Sequence, residues 1–526
     1  MPHVAALVPL LAIALIPLLA WTDHARQGER AGQGTMAWLL VLGAAALIGV
    51  IVLPGEGVTL SLTGNWLAGG FGLRLDRITL AMALLIGLVG AAATAYSGRQ
   101  LVGDVGRPAF MRALALTIAS ALVLALSSNL LQIALCWLVV SAGLHRLLLH
   151  HGQRSGAVLT ARHKFLVSRI GDLGMVVAVV SLLPAFGTLD LGALATAAAS
   201  ASPGQHTALT WAACGLALAA IAKSAQFPLH AWLPQTLEAP TAVSALMHAG
   251  IINGGGFLLI RCSGILVHVP SVLTVLAVIG TLTAILGVLA MWAQTDIKKA
   301  LAWSTVAQMG FMILECGLGA FAAALLHLLG HGCYKAHAFL RSGSVAPALM
   351  TAAPINTSAA RAAGIWVCAL AIATALVWLA HRAMGGVPWA APGGVLLSLV
   401  IVLAAAQLLI APVPGARWRG LAGCAALIVV AIPGLHMVHL FLEPLLGKVA
   451  DLTARGAAGT AIAVLIGTAL IGLATLGVLL PNLGRVRWAQ ALRIHASQGF
   501  YLGIHAERAV RSLWPLATPT TPGDRS

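Results

Sequence analysis

His327, His331 and Lys335 recur at four-residue intervals inside an otherwise apolar run, FAAALLHLLGHGCYKAHAFL. On an α-helix that spacing stacks all three along one face. Histidine and lysine can both gain and lose protons, and ionisable groups are costly in hydrocarbon unless they face protein or a watery path. The row therefore predicts a proton or ion wire. Two further groups in neighbouring apolar stretches extend it, Lys223 in GLALAAIAKSAQFPLHAWLP and His248 in TAVSALMHAGIINGGGFLLIR. The rival readings are a packed, hydrogen-bonded helix interior and an HxxxH metal pair. The run carries no carboxylate and His337 falls off the shared face, which disfavours a metal. For Lys223 the competing use is snorkelling to an interface.

Between Lys223 and His248 the chain reads SAQFPLHAWLPQTLEAPTAVSALMH, with prolines at 228, 234 and 240. Proline removes a backbone donor and stops helix propagation. Interrupted helices beside an intramembrane lysine are where transporters bind or pass ions. Arg169 and Asp172, three apart, can form a structural ion pair or belong to the same path. Glu238, just before Pro240, reads first as a cap for the next helix and second as a carboxylate gating access.

The elements that must carry these groups are membrane helices. The chain has 526 residues, 60% hydrophobic and 8% charged, with mean hydropathy +0.96; a soluble domain carries about 25% charged residues. Apolar runs near the roughly 20 residues that span a bilayer recur from 4–20 to 457–480. The expected fold is an all-α polytopic membrane protein of about 14–15 transmembrane helices, some discontinuous. It divides into a transmembrane domain over 1–480 and a cytoplasmic amphipathic tail over 481–526, with residues 187–208 as a small-residue external loop.

The formal charge of +16 is distributed by loop rather than gathered in a domain. Odd-numbered loops, their flanking helix ends and the tail hold 21 Lys and Arg, among them Arg99, Arg154, Arg162, Lys164, Lys298 and Lys299, against 6 in even-numbered loops. Basic loops stay cytoplasmic, so the N-terminus is expected outside and the C-terminus inside. The basic excess is thus topology and attraction to anionic membrane lipid, not nucleic-acid binding. The seven cysteines stand singly in or beside apolar runs with no CxxC pair, so neither a zinc nor an iron–sulfur site is indicated and they read as small buried hydrophobes. No GxxxxGK[ST] loop occurs, which argues against ATP-driven transport. No cofactor is expected in this chain.

KSAQFPLHAWLPQTLEAPTAVSALMHAGIINGGGFLLIR and TDIKKALAWSTVAQMGFMILECGLGAFAAALLHLLGHGCYKAHAFLRSGSV resemble the antiporter-like subunits of respiratory complex I and the Mrp-type cation/proton antiporters. The resemblance is strong over residues 70–347. It implies that Lys223 is the central lysine of a first half-channel, and that His248 is the histidine of the following helix. It likewise implies that His327, His331 and Lys335 are the series linking two halves, and that Arg169 and Asp172 form the polar turn of the sixth helix. Two departures stand out. Leu138 occupies the place of a glutamate that normally follows a tryptophan on the fifth helix, and His145 is a weak substitute for it. The runs WVCALAIATALVWLA and GGVLLSLVIVLAAAQLLIAP lack the twelfth-helix lysine.

Length and the eroded second half make the chain resemble, within this superfamily, the DabB family of membrane subunits of bacterial two-component inorganic-carbon transporters. That implies a large cytoplasmic DabA-like partner, a zinc protein resembling β-carbonic anhydrase, energised by H+ or Na+ flow through this subunit. The alternatives are a subunit of a complex I-like, hydrogenase or Mrp assembly, and a membrane scaffold that has lost conduction.

Overall fold

Asp76 begins the first long buried helix: its side chain accepts from Thr79 N at 2.9 Å while Thr79 Oγ1 accepts from Asp76 N at 3.0 Å. This reciprocal cap satisfies donors that a helix start leaves open. The computed structural model describes residues 11–18, 33–52, 57–61, 70–349, 358–383, 392–410, 456–484 and 486–515. The elements in chain order are α1 (Gln33–Val52), strands β1 (Val58–Ser61) and β2 (Gly72–Leu75), α2 (Arg77–Gln100), α3 (Arg107–Leu126), α4 (Leu130–Leu148) and α5 (Ser155–Phe186). Then come α6 (Leu191–Ala198), α7 (Pro203–Lys223), α8 (Thr241–Ala249), α9 (Gly254–Arg261), α10 (Pro270–Trp292), α11 (Ile297–Gly317) and α12 (Phe321–Leu349). The later helices are α13 (Ala359–Ala383), α14 (Pro392–Ile410), α15 (Gly456–Leu479), α16 (Arg487–Ser497) and α17 (Leu502–Leu513).

Ten helical segments among the described residues are long and apolar enough to cross a membrane. α11 and α12 are as long, at 21 and 29 residues, but carry the charged and histidine side chains that lower their hydropathy. The protein is therefore an all-α multi-pass membrane protein, as expected. The apolar run at 418–442 lies outside the described residues. A two-stranded antiparallel hairpin, β1–β2, precedes α2 and was not expected. Its strand β2 is tied to the helix layer where Gly72 N donates to Gln132 Oε1 at 3.1 Å. The segment 187–208 is likewise not all loop, because Asp190 accepts from Ala193 N at 2.9 Å and starts α6.

Helices pair through small residues, which let backbones approach where lipid supplies no hydrophobic drive. A Cβ added at Gly174 of α5 would collide with the Gly215 backbone of α7, and Gly280 of α10 meets the Gly310 and Leu314 backbone of α11 in the same way. Two apolar cores result. One runs from residue 13 through α12 to Ala336. The other joins the first half of α10 and the end of α11 to α13, α14 and α15 through Trp366, Ala373, Leu396, Ala406 and Ile466.

The tail forms two helices rather than one, broken at Phe500 and Tyr501, where φ is +55° and +64°. It docks on the bundle: Arg162 Nη1 donates to the carbonyls of Trp514 at 2.9 Å and Pro515 at 2.8 Å, and Gln294 Nε2 donates to Ser497 O at 3.2 Å. The tail therefore shares a face with the basic segments at 150–163 and 294–299.

Candidate ion-conducting site

Lys223 is the last residue of α7, and the proline-rich stretch after it does stop the helix. Ser224 Oγ donates to Ile252 O at 2.8 Å, which ties the end of α7 to the break between α8 and α9. That break, at Gly250–Asn253, splits a single membrane crossing into two short helices. Asn253 Nδ2 donates to Ala249 O at 2.8 Å, replacing part of the lost backbone ladder. Gly255 permits the join, because a Cβ there would strike Ser224 Oγ and Ala220 O.

The Lys223 ammonium sits 4.4 Å from the centre of the Trp137 ring, a cation–π contact. Among the described residues it makes no ion pair. It lines a cavity of about 40 Å³ with Trp137, Thr117, Gly254 and Phe257, room for about one water. Leu138, at the position of the missing glutamate, is 39% exposed, while Trp137 beside it is buried. His145 is not at this site; its ring packs against Phe165 at 5.5 Å. On α5, Arg169 and Asp172 form an ion pair at 2.7 Å. Lys164 corrects the sequence reading, which placed it among loop charges. It lies within α5, 4% exposed, and donates to Ser141 O at 2.7 Å and Ser141 Oγ at 2.8 Å. Glu238 corrects the expectation of a helix cap: α8 has no side-chain cap, and Glu238 instead pairs with Arg154 at 2.8 Å on the surface, apart from Lys223 and His248.

The second cluster lies where α8, α11 and α12 meet. His248, His331 and Lys335 are all buried, at 1%, 6% and 0% exposure. Lys335 Nζ donates to Ser304 Oγ at 2.7 Å and Leu301 O at 3.1 Å. His331 Nε2 donates to the His248 carbonyl at 3.3 Å, and His248 Nδ1 meets Thr305 Oγ1 at 3.0 Å with its ring stacked on Phe339. The rings of His327 and His331 are 6.2 Å apart, edge to face. His337 is exposed, off the row, as its spacing requires. The row thus holds groups that can each accept and release a proton, with hydroxyls and carbonyls between them.

At its far end the row acquires a carboxylate that the α12 run lacks. Glu315 Oε2 on α11 lies 3.0 Å from His327 Nδ1, and Gln308 Oε1 lies 2.8 Å from His327 Nε2. Glu315 was not singled out in the sequence, although an acid inside an apolar run obeys the same rule that exposed Lys223. Lys164 and Ser141 carried no such signal, because the helix boundary hid the lysine.

A profile of the NADH:quinone oxidoreductase/Mrp antiporter membrane family matches residues 127–411, which contain every ionisable group of the site described above. The protein named "Probable inorganic carbon transporter subunit DabB2" from Halothiobacillus neapolitanus is 34% identical over 96% of this chain and 94% of its own. The chain belongs to the DabB family. A second relative, "Probable inorganic carbon transporter subunit DabB" from Hydrogenovibrio crunogenus, is 35% identical over 71% of this chain and 72% of its own. Among solved structures, the Mrp complex of a Dietzia species matches 99% of this chain at 26% identity with a TM-score of 0.58, and this chain spans 57% of that one. Respiratory complex I from Thermus thermophilus, at 21% identity and a TM-score of 0.56, shares the fold over 94% of this chain. The DabB family is thus an antiporter-like family of membrane transporter subunits.

Proposed function

We propose that the chain is the cation-conducting membrane subunit, for H+ or Na+, of a two-component system that accumulates inorganic carbon as bicarbonate. The observation that carries this reading is the buried row of His248, His331 and Lys335, continued by His327, beside a helix broken next to Lys223, in a chain so similar to inorganic-carbon transporter subunits. Ion flow along these groups energises a large cytoplasmic DabA-like partner resembling β-carbonic anhydrase. In this reading the partner holds zinc, which lowers the pKa of bound water and supplies hydroxide for CO2 hydration. This chain performs no carbon chemistry itself. The subunit sits in the bacterial inner membrane with its N-terminus outside and its C-terminus cytoplasmic, the sidedness favoured by its basic loops. The test is coexpression with a DabA-like partner in a carbonic-anhydrase-deficient host. Growth in ambient air that collapses with an uncoupler or ionophore is expected, and growth indifferent to the ion gradients would refute the reading. The second reading, a subunit of a complex I-like, hydrogenase or Mrp assembly, is favoured by the fold shared with the Mrp complex over 99% of this chain. Copurification of antiporter subunits instead of a zinc protein would establish it.

A further inference from the structure

We propose that Glu315 is the proton-exchanging end of the row, passing protons between His327 and water in a cavity of about 360 Å³ lined by α10, α11, α12, α14 and α15. The inference rests on the conducting role given above and identifies where the conducted ion, a proton, enters or leaves. The cavity lies between the two apolar cores and has room for about ten waters. Glu315, His327, Gln308 and Gln407 are its hydrogen-bonding side chains, with Trp292 beside them.

The geometry serves both protonation states of His327. Its Nδ1 faces a carboxylate and its Nε2 faces an amide, and an amide can turn to offer either oxygen or nitrogen. Each transfer balances. His327 gives its Nδ1 proton to Glu315 Oε2, Glu315 becomes a neutral acid, and cavity water takes the proton and restores the carboxylate. The reverse order loads the row. The charged or titratable groups around Glu315 are His327 and, beyond it, His331 and Lys335 on α12, with Cys316 next to it on α11. The gap between the His327 and His331 rings requires one water or a ring rotation at that step. A structural ion pair would need neither the flanking amide nor a cavity of water-holding size onto which both its members open.

The test uses Glu315→Gln and Glu315→Asp in the full chain, coexpressed with its partner. Gln keeps the shape and a hydrogen bond to neutral His327 but cannot carry a proton, so E315Q is expected to lower bicarbonate accumulation by about tenfold or more at unchanged membrane abundance. E315D retains the acid and is expected to stay within about threefold of wild type. Wild-type accumulation in E315Q, or equal loss in both variants, overturns the proposal. Infrared titration of the purified chain gives a readout that does not depend on transport. A protonated carboxyl band that shifts in D2O and is missing in E315Q supports it. A Glu315 that fails to titrate anywhere between about pH 4 and 10 refutes it even if the transporter reading stands. Failure of the wild-type pair to accumulate carbon, with the infrared band present, would instead count against the transporter reading alone.

Discussion

Lys223 ends α7 with its ammonium against the Trp137 ring rather than a carboxylate, so removing it deletes the proposed proton carrier without orphaning a buried acid. Lys223→Ala is expected to lower ion-coupled carbon uptake by about a hundredfold while the protein still inserts and binds its partner. Lys223→Arg sharpens the test, because a guanidinium keeps the charge and ring contact but does not release its proton. Normal uptake by either variant, at normal membrane abundance, would remove Lys223 from the path. Lys164 makes a stability prediction instead. Ser141→Ala takes one acceptor from a buried ammonium and leaves the Ser141 carbonyl, at a cost of about 1.5–3 kcal/mol. A lower melting temperature in detergent would register it, and an unchanged one would show that water replaces the hydroxyl. At this scale the sequence disclosed charges in unmistakably apolar surroundings, Lys223, His327, His331 and Lys335. It concealed Glu315, whose partner is 12 residues away on another helix, and Lys164, which sits about two and a half turns inside a helix whose start at Ser155 looked like a loop.

Among the elements, the broken crossing α8–α9 and the glycine seam between α5 and α7 determine where Lys223 ends. Gly174→Val is expected to force these helices apart and to destabilise the bundle by about 1–3 kcal/mol. Because Arg169 and Asp172 ride on α5 and Lys223 on α7, uptake should fall with it. A Gly174→Ala variant of intermediate effect would place the cause in steric volume, whereas two silent variants would show that the seam yields without consequence. The prolines at 228, 234 and 240 predicted the interruption because proline's chemistry acts locally. The second interruption, at Gly250–Asn253, was not predicted. It depends on Ser224 and Asn253 reaching carbonyls, which no local rule announces. The same limit explains Glu238, where a cap seemed natural until the start of α5 brought Arg154 to it.

For the whole molecule, hydropathy alone fixed the architecture of serial membrane helices, since bilayer thickness leaves few alternatives. The second core around α13–α15, and the cavity between it and the first, depend on contacts between distant helices and were not legible in advance. Under the proposed two-component reading, the tail is the element placed to meet the partner. Its helices lie on the face that also presents Arg154, Arg162, Lys298 and Lys299, anchored by Arg162 to the Trp514 and Pro515 carbonyls. With the C-terminus on the basic side, a periplasmic phosphatase fused after residue 526 should stay inactive, and one inserted within 199–202 should be active. The opposite pattern would invert the molecule and put the tail on the wrong side for a cytoplasmic partner. Given that sidedness, Arg162→Ala should loosen the tail and weaken retention of the partner in pull-downs by about threefold to tenfold, a loss of about 0.7–1.4 kcal/mol. The groups of the proposed ion path in α7, α8, α11 and α12 would be untouched. Carbon accumulation should therefore fall with partner occupancy and recover when the partner is overexpressed. Loss of accumulation with the partner still fully bound would show that Arg162 acts on the ion path itself rather than on assembly.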